Sequence, residues 1–223
     1  MRTDTLARFA LLLAVCAAPG IAVAGEDDGA QLLAAGNDIR SHASLQRGAR
    51  NFMNYCSGCH SAQYVRYNRV AADLGIPESE LKKNLMFTSE KPADTIRSAL
   101  RAEDGRKWFG NAPPDLSLMA RARGTDYIYT YLKSFYPDVS RPHGVNNHVL
   151  PGTAMPNVFA DLQATLPEEK FDEIVRDTAN FLQYIGEPIE VRRRDLGVWV
   201  TLFMLVFTAF AYMLYKEYWK DVH

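Results

Sequence analysis

Cys56, Cys59 and His60 are the residues whose types and spacing can do chemistry, in the order Cys-x-x-Cys-His. Three chemistries use such a cysteine pair. A structural zinc site needs two further ligands, and the remaining cysteine, Cys16, lies in an N-terminal stretch with the features of a cleaved leader. A dithiol redox pair belongs in a thioredoxin-like βαβ surround, and no such pattern is visible. The third chemistry is covalent haem attachment. Both thiols form thioethers with haem vinyl groups, and the adjoining imidazole binds the iron. The motif therefore predicts one covalently attached haem c, with Cys56 and Cys59 as its anchors and His60 as an iron ligand.

An iron held by one histidine has a sixth position to fill. The side chains able to fill it are Met53, Met86, Met119, Met155, His42, His143 and His148. Met53 is too near the attachment motif to reach the opposite haem face. Met86 and Met119 also suit a packed core, the commoner use of methionine. Met155 sits on a long loop between Pro151-Gly152 and Pro156, and such a loop can carry a side chain across a haem face. Met155 is the favoured ligand and His148 the next. A thioether favours Fe(II) and raises the reduction potential, and a filled sixth position leaves no site for oxygen or substrate. That chemistry is electron transfer, with no catalytic nucleophile or general acid.

The elements that must position these groups are mainly helical. Leu45, Ala49, Phe52 and Cys56 share one helical face, with Ser44 as the expected N-cap. Gly48 within that helix points to close backbone approach by another helix. Residues 25–40 read as a mobile lead-in. Ser61–Leu74 reads as starting helical, with Gly75-Ile76-Pro77 as its break, and a short helix follows over Ser79–Asn84. Residues 87–114 read as irregular, apart from a helical turn near Asp94–Leu100, with Gly105, Gly110, Pro113 and Pro114 as punctuation. Helices are expected over Leu116–Arg123 and over Asp126–Phe135, the latter capped by Asp126. The loop Ser140–Leu162 is long enough to be functional. Thr165-Leu166-Pro167-Glu168 has the form of a capping box. The stripe Phe171, Ile174, Val175, Thr178, Leu182 and Ile185 then extends to Gly186.

Leu196–Tyr215 carries no charge over 20 residues, which as a helix spans ~30 Å, the thickness of a bilayer core. Trp199 at one end, and Tyr212, Tyr215, Tyr218 and Trp219 at the other, match interfacial belts. At the opposite terminus, Arg2 and Arg8 precede the apolar run Phe9–Ala18, and Ala22-Val23-Ala24 offers a cleavage site. The expected organisation is a signal peptide (1–24), a haem domain (25–191), a transmembrane anchor (196–215) and a short tail (216–223). Export places the domain in the periplasm of a bacterial inner-membrane protein, with the tail cytoplasmic and Arg192-Arg193-Arg194 beside lipid headgroups. In 223 residues of net charge −1, the basic groups cluster around the anchor and the centre is mildly acidic. That distribution excludes nucleic acid as a partner and fits a polar protein partner.

Three segments occur in order: Arg47-Gly48 … Tyr55-Cys56-Ser57-Gly58-Cys59-His60-Ser61, then Pro113-Pro114-Asp115-Leu116-Ser117 with Arg121-Ala122-Arg123, then Asn146-Asn147 … Met155-Pro156. With the C-terminal span they closely resemble the cytochrome c1 family, the haem subunit of the cytochrome bc1 (ubiquinol–cytochrome c reductase) complex. The resemblance covers most of residues 44–223. It implies an all-α cytochrome c-type haem domain with long loops plus one C-terminal transmembrane helix. It implies His60 and Met155 as the axial pair, Arg123 on a haem propionate, and Tyr127 and Pro114 lining the haem pocket. It also implies electron transfer from a Rieske iron–sulfur protein to a c-type cytochrome, beside a cytochrome b subunit and membrane lipid. The other readings are a membrane-anchored monohaem cytochrome c of another respiratory complex and a haem-based sensor.

Overall fold

A computed structural model describes residues 31–221; the leader expected over 1–24 lies outside them. The first helix among the described residues, α1 (His42–Asn51), runs into one π-helical turn (Phe52–Cys56) that ends on the first motif cysteine. Its N-cap is Ser41, whose hydroxyl accepts from the Ser44 amide. Ser44, expected as the cap, is instead buried and donates to Asp177 Oδ1 at 2.6 Å. The earlier cap satisfies the same orphan amides and frees Ser44 for a tertiary bond.

Helix α1 packs on α8 (Glu168–Gly186), a helix of 19 residues. Gly48 lies at their closest approach, because a Cβ there would stand 2.1 Å from the Asp177 carbonyl oxygen. Arg47 clamps the same turn, with Nε 2.6 Å from Asp177 Oδ2 and Nη2 3.0 Å from Oδ1. The Phe52 and Phe181 rings, 5.6 Å apart, fill the crossing. The stripe expected on α8 faces inward, with Phe171, Val175, Thr178, Leu182 and Ile185 buried. The capping box before it does not form. Pro167 occupies the cap position, and Thr165 donates back to the Asp161 carbonyl within α7 (Ala160–Thr165).

Residues 62–66 depart from the expected helix. They form β1 (Ala62–Arg66), paired antiparallel with β2 (Thr95–Ile96), and only then does α2 (Tyr67–Leu74) begin. Gly75 ends α2 at a φ of +65°, a region glycine enters without strain. α3 (Glu78–Asn84) follows; the helical turn expected near Asp94–Leu100 is absent, because Thr95–Ile96 pair with β1 as a strand, and the region read as irregular instead holds one helix, α4 (Ala102–Phe109). Next come α5 (Met119–Arg123) and α6 (Thr125–Lys133), then a hairpin-like pair β3 (Phe135–Pro137) and β4 (Val145–Asn147). Two small two-stranded pieces leave the architecture all-α.

Residues 31–40 form a strap, where a mobile lead-in is expected. The Leu33 amide donates to Thr130 Oγ1, the Ala35 amide to Asp126 Oδ1, and Arg176 to the Ala35 carbonyl. Ala35 is fully buried between α6 and α8. Asp126, expected to cap α6, holds this strap instead.

The last helix, α9 (Glu190–Tyr218), has 29 residues, ~43 Å at the helical rise. From Leu196 to Tyr215 its large apolar side chains, Trp199, Phe203, Phe207 and Phe210 among them, are exposed. A uniformly apolar, unburied helix of this length has a bilayer as its stable environment. Its base is tied down by ion pairs. Arg40 meets Asp195 at 2.6 Å, Arg193 meets Glu187 at 2.5 Å, and the buried Glu190 takes Arg194 and Gln183.

Candidate functional site

The end of α1 presents the haem motif. The Ser57 amide bonds to Phe52 O at 2.9 Å, the i→i+5 contact that widens the last turn. Ser57 Oγ then donates to Met53 O, and a tight turn carries the Cys59 and His60 amides onto the Cys56 carbonyl. Cys56 is buried and Cys59 exposed. Burial, helped by Cys59, pushes the Cys56 thiol up to about 12. A thiol so reluctant to ionise is a poor partner for disulfide exchange.

His60 is held from the far side by the Pro113–Ser117 segment. Its Nδ1 lies 2.7 Å from the Pro114 carbonyl oxygen. A carbonyl only accepts, so Nδ1 carries the proton and Nε2 carries the free lone pair. Burial lowers the His60 pKa, against smaller opposing effects from the Pro114 bond and Asp115, which keeps the ring neutral and able to ligate. The segment is fixed in turn by the strand that follows the motif. The Leu116 amide donates to Ser61 O, the Gln63 amide to Asp115 Oδ2, and the Tyr64 amide to the buried Ser117 Oγ.

The loop bearing Met155 is organised by asparagines. Asn147, fully buried, donates to the Tyr131 carbonyl at 2.7 Å and accepts from the Val149 and Leu150 amides. Asn146 Oδ1 accepts from the Gly152 amide, and Arg141 donates to the Gly152 carbonyl. Tyr131 on α6 meets Thr153 with its hydroxyl, 2.8 Å from Thr153 Oγ1. Burial raises the Tyr131 pKa, so the phenol stays protonated.

These pieces enclose one predominantly apolar cavity of about 360 Å³. Cys56, Cys59, His60, Pro114, Arg123, Tyr127 and Met155, predicted from separate stretches, all line it. Arg123 lies at an exposed edge, its guanidinium carbon 5.1 Å from the Tyr127 ring centroid. Of the other candidate sixth ligands, Met119 also borders the cavity. Met53 and Met86 are buried in the core. His143 packs on Phe109, and His148 stacks on Tyr136 at 4.3 Å. Arg121 is drawn away to Glu187, at 3.4 Å. One imidazole nitrogen, two thiols and two thioether sulfurs around apolar walls fit a haem and suit neither a hydrated ion nor a polar substrate.

The Cytochrome C1 family model matches residues 38–222. The chain is 46% identical to cytochrome c1 of Allochromatium vinosum, over the whole of both chains. It is 32% identical to cytochrome c1 of Rhodospirillum rubrum over 80% of this chain and 81% of that one. It is also 39% identical to a protein of Nitrosomonas europaea named ammonia monooxygenase gamma subunit, over 96% of this chain and 97% of that one.

The chain belongs to the cytochrome c1 family. Like other cytochromes c1 it carries one covalently attached haem c and serves as an electron carrier of a bc1 complex, which is a membrane-bound ubiquinol–cytochrome c reductase. Membership favours neither a sensor nor a cytochrome of another complex.

Sequence reasoning missed several residues around this cytochrome c1 cavity. Ser117 and Asn147 brace the segments that carry the candidate ligands, and Tyr131 and Thr153 both brace and line the cavity. Gly105, read as loop punctuation, lies inside α4, where a Cβ would meet Pro113 Cδ at 2.7 Å. The signals were present as a glycine beside a Pro-Pro pair and as adjacent asparagines, but only the fold tells which groups they bond.

Proposed function

We propose that this chain relays single electrons from a Rieske iron–sulfur protein to a c-type cytochrome, with Cys56 and Cys59 as the residues that would hold the haem covalently and His60 and Met155 as those that would bind its iron. The haem, when bound, supplies the one-electron chemistry of its iron. The protein's own residues set the conditions for it. Pro114 O fixes the His60 tautomer and strengthens the imidazole as a donor. The Met155 thioether raises the potential, and the apolar walls, with Leu132 and Leu182 among them, keep water from the iron. Arg123, at the exposed edge, offers its planar fork to a propionate, while Tyr127 and Pro114 bound the pocket. The chain supplies no nucleophile, general acid or general base.

The single observation that carries this reading is the convergence of Cys56, Cys59, His60 and Met155 on one apolar cavity. The flanking segments support its setting. Residues 1–24 act as a cleaved leader, 25–191 as a periplasmic domain, 196–215 as the span of a bacterial inner membrane, and 216–223 as a cytoplasmic tail. A cytochrome b subunit packs beside the anchor, with lipid headgroups at Arg192–Arg194. The test is purification of the tagged chain from membranes. Co-purification of a b-type cytochrome and a Rieske protein, with quinol-dependent reduction of added c-type cytochrome, is expected. A chain that purifies alone and reduces nothing contradicts the proposal.

A further inference from the structure

A methionine thioether is a weak ligand carried on a loop, so its hold on a metal depends on how little the loop can move. Only Ala154 separates Met155 from Thr153. Thr153 Oγ1 makes two contacts: it accepts from the Met155 amide at 3.3 Å, and it lies 2.8 Å from the Tyr131 hydroxyl. Thr153 is buried, and Tyr131 lines the cavity from the neighbouring helix.

Tyr131 is itself immobilised. Its ring stacks on Tyr127 at 6.2 Å and 9°, meets Phe135 edge-on at 5.2 Å, and its carbonyl receives Asn147. The hydroxyl therefore comes from a rigid helix with a fixed ring. Upstream, Gly152 is pinned by Asn146 and Arg141, so residues 152–155 are tied from both the hairpin side and the helix side. Thr153 Oγ1 accepts from the Met155 amide, and in its 2.8 Å contact with the Tyr131 hydroxyl either group can be the donor, so the bond forms whichever proton is used.

We propose that Tyr131 and Thr153 form a positioning pair, a hydrogen-bond relay from α6 that holds the Met155 backbone so that its thioether stays on the haem iron. The relay rests on the reading of Met155 as the sixth ligand. It acts on the ligand through the Met155 backbone. Without it the ligand-off population of the reduced protein rises about two- to tenfold, the scale of one hydrogen bond.

The test uses the intact membrane complex, with carbon monoxide as the probe of an open sixth position and redox titration of the haem α-band as the second readout. Tyr131→Phe and Thr153→Val are expected to raise CO binding by the reduced protein and to lower the midpoint potential, each by less than Met155→Leu. Thr153→Ser, which keeps the acceptor oxygen, is expected to match wild type in both. A general packing defect would not be rescued by retaining one oxygen. Wild-type CO binding and potential in Tyr131→Phe, alongside a strong response in Met155→Leu, would overturn the pairing and leave the ligand assignment standing. No response in Met155→Leu would overturn the assignment first.

Discussion

His60 Nδ1 and the Pro114 carbonyl oxygen lie 2.7 Å apart, and this contact joins the two stretches of sequence that define the site. It leaves Nε2 as the imidazole nitrogen free to bind a metal. It also explains why the Pro-Pro-Asp-Leu-Ser segment is bonded so thoroughly to residues 61–64. The carbonyl cannot be removed by a side-chain substitution, so the supports behind it are the accessible levers.

Gly105→Ala tests one support. Its Cβ would overlap Pro113 Cδ at 2.7 Å, so the Pro113-Pro114 pair must shift. Overpacking of this kind costs roughly 1–3 kcal/mol. A lengthened His60 bond weakens the imidazole as a donor. The expected outcome is a lower thermal midpoint with a raised haem potential; a wild-type value for both would show that Pro113 does not transmit the strain.

Ser117→Ala tests the other. Ser117 is buried and its hydroxyl accepts the Tyr64 amide at 3.1 Å. The variant leaves that amide without its partner, at about 1–3 kcal/mol. Chemical denaturation of the haem-loaded protein should report a loss in that range, with haem still covalently attached.

Gly48→Ala should be more damaging. A methyl there would stand 2.1 Å from the Asp177 backbone oxygen and 2.7 Å from Phe181 Cβ. Neither α1 nor α8 can yield without opening the Arg47–Asp177 clamp. Little haem-loaded protein should accumulate in membranes, as read by haem staining on a denaturing gel. Normal accumulation would mean that the helices separate more easily than their packing implies.

The joint at the base of the anchor carries a pH signature. The Arg193 bond holds the Glu187 carboxyl below its ordinary range, with Arg121 and Arg194 adding to it. A carboxyl depressed in the folded state contributes stability that is present above its unfolded value, about 4.3, and lost as pH falls through the lower folded value. Amide protection over residues 188–195, corrected for intrinsic exchange, should therefore hold from neutrality to about pH 4 and fall only in stronger acid. Glu187→Gln should lack that protection at neutral pH.

Much of this was legible in the residues. Cys-x-x-Cys-His is a local covalent code, the α8 stripe is a periodicity, and Leu196–Tyr215 is a composition; none depends on a distant partner. Gly48 was readable because a glycine in a helix implies close approach. What was not legible is long-range pairing. β1 exists because Ala62 and Arg66 meet Ile96 and Thr95, some thirty positions away, and residues 31–40 are ordered by Asp126, Thr130 and Arg176 on two distant helices. Thr165 had the form of a cap, yet its hydroxyl found the Asp161 carbonyl within its own helix. Met155 stood out for its prolines, but the Tyr131–Thr153 contact behind it joins stretches that carry no shared motif.

The most direct test of the central claim is a redox titration of the haem α-band in the purified complex, run on wild type, Met155→Leu and Met119→Leu. Both methionines border the cavity, so the pair separates a ligand from a wall. Met155→Leu is predicted to lower the midpoint potential sharply while haem remains covalently bound, and Met119→Leu to leave it near the wild-type value. An unchanged potential in Met155→Leu, or a sharp fall in Met119→Leu alone, would contradict the account.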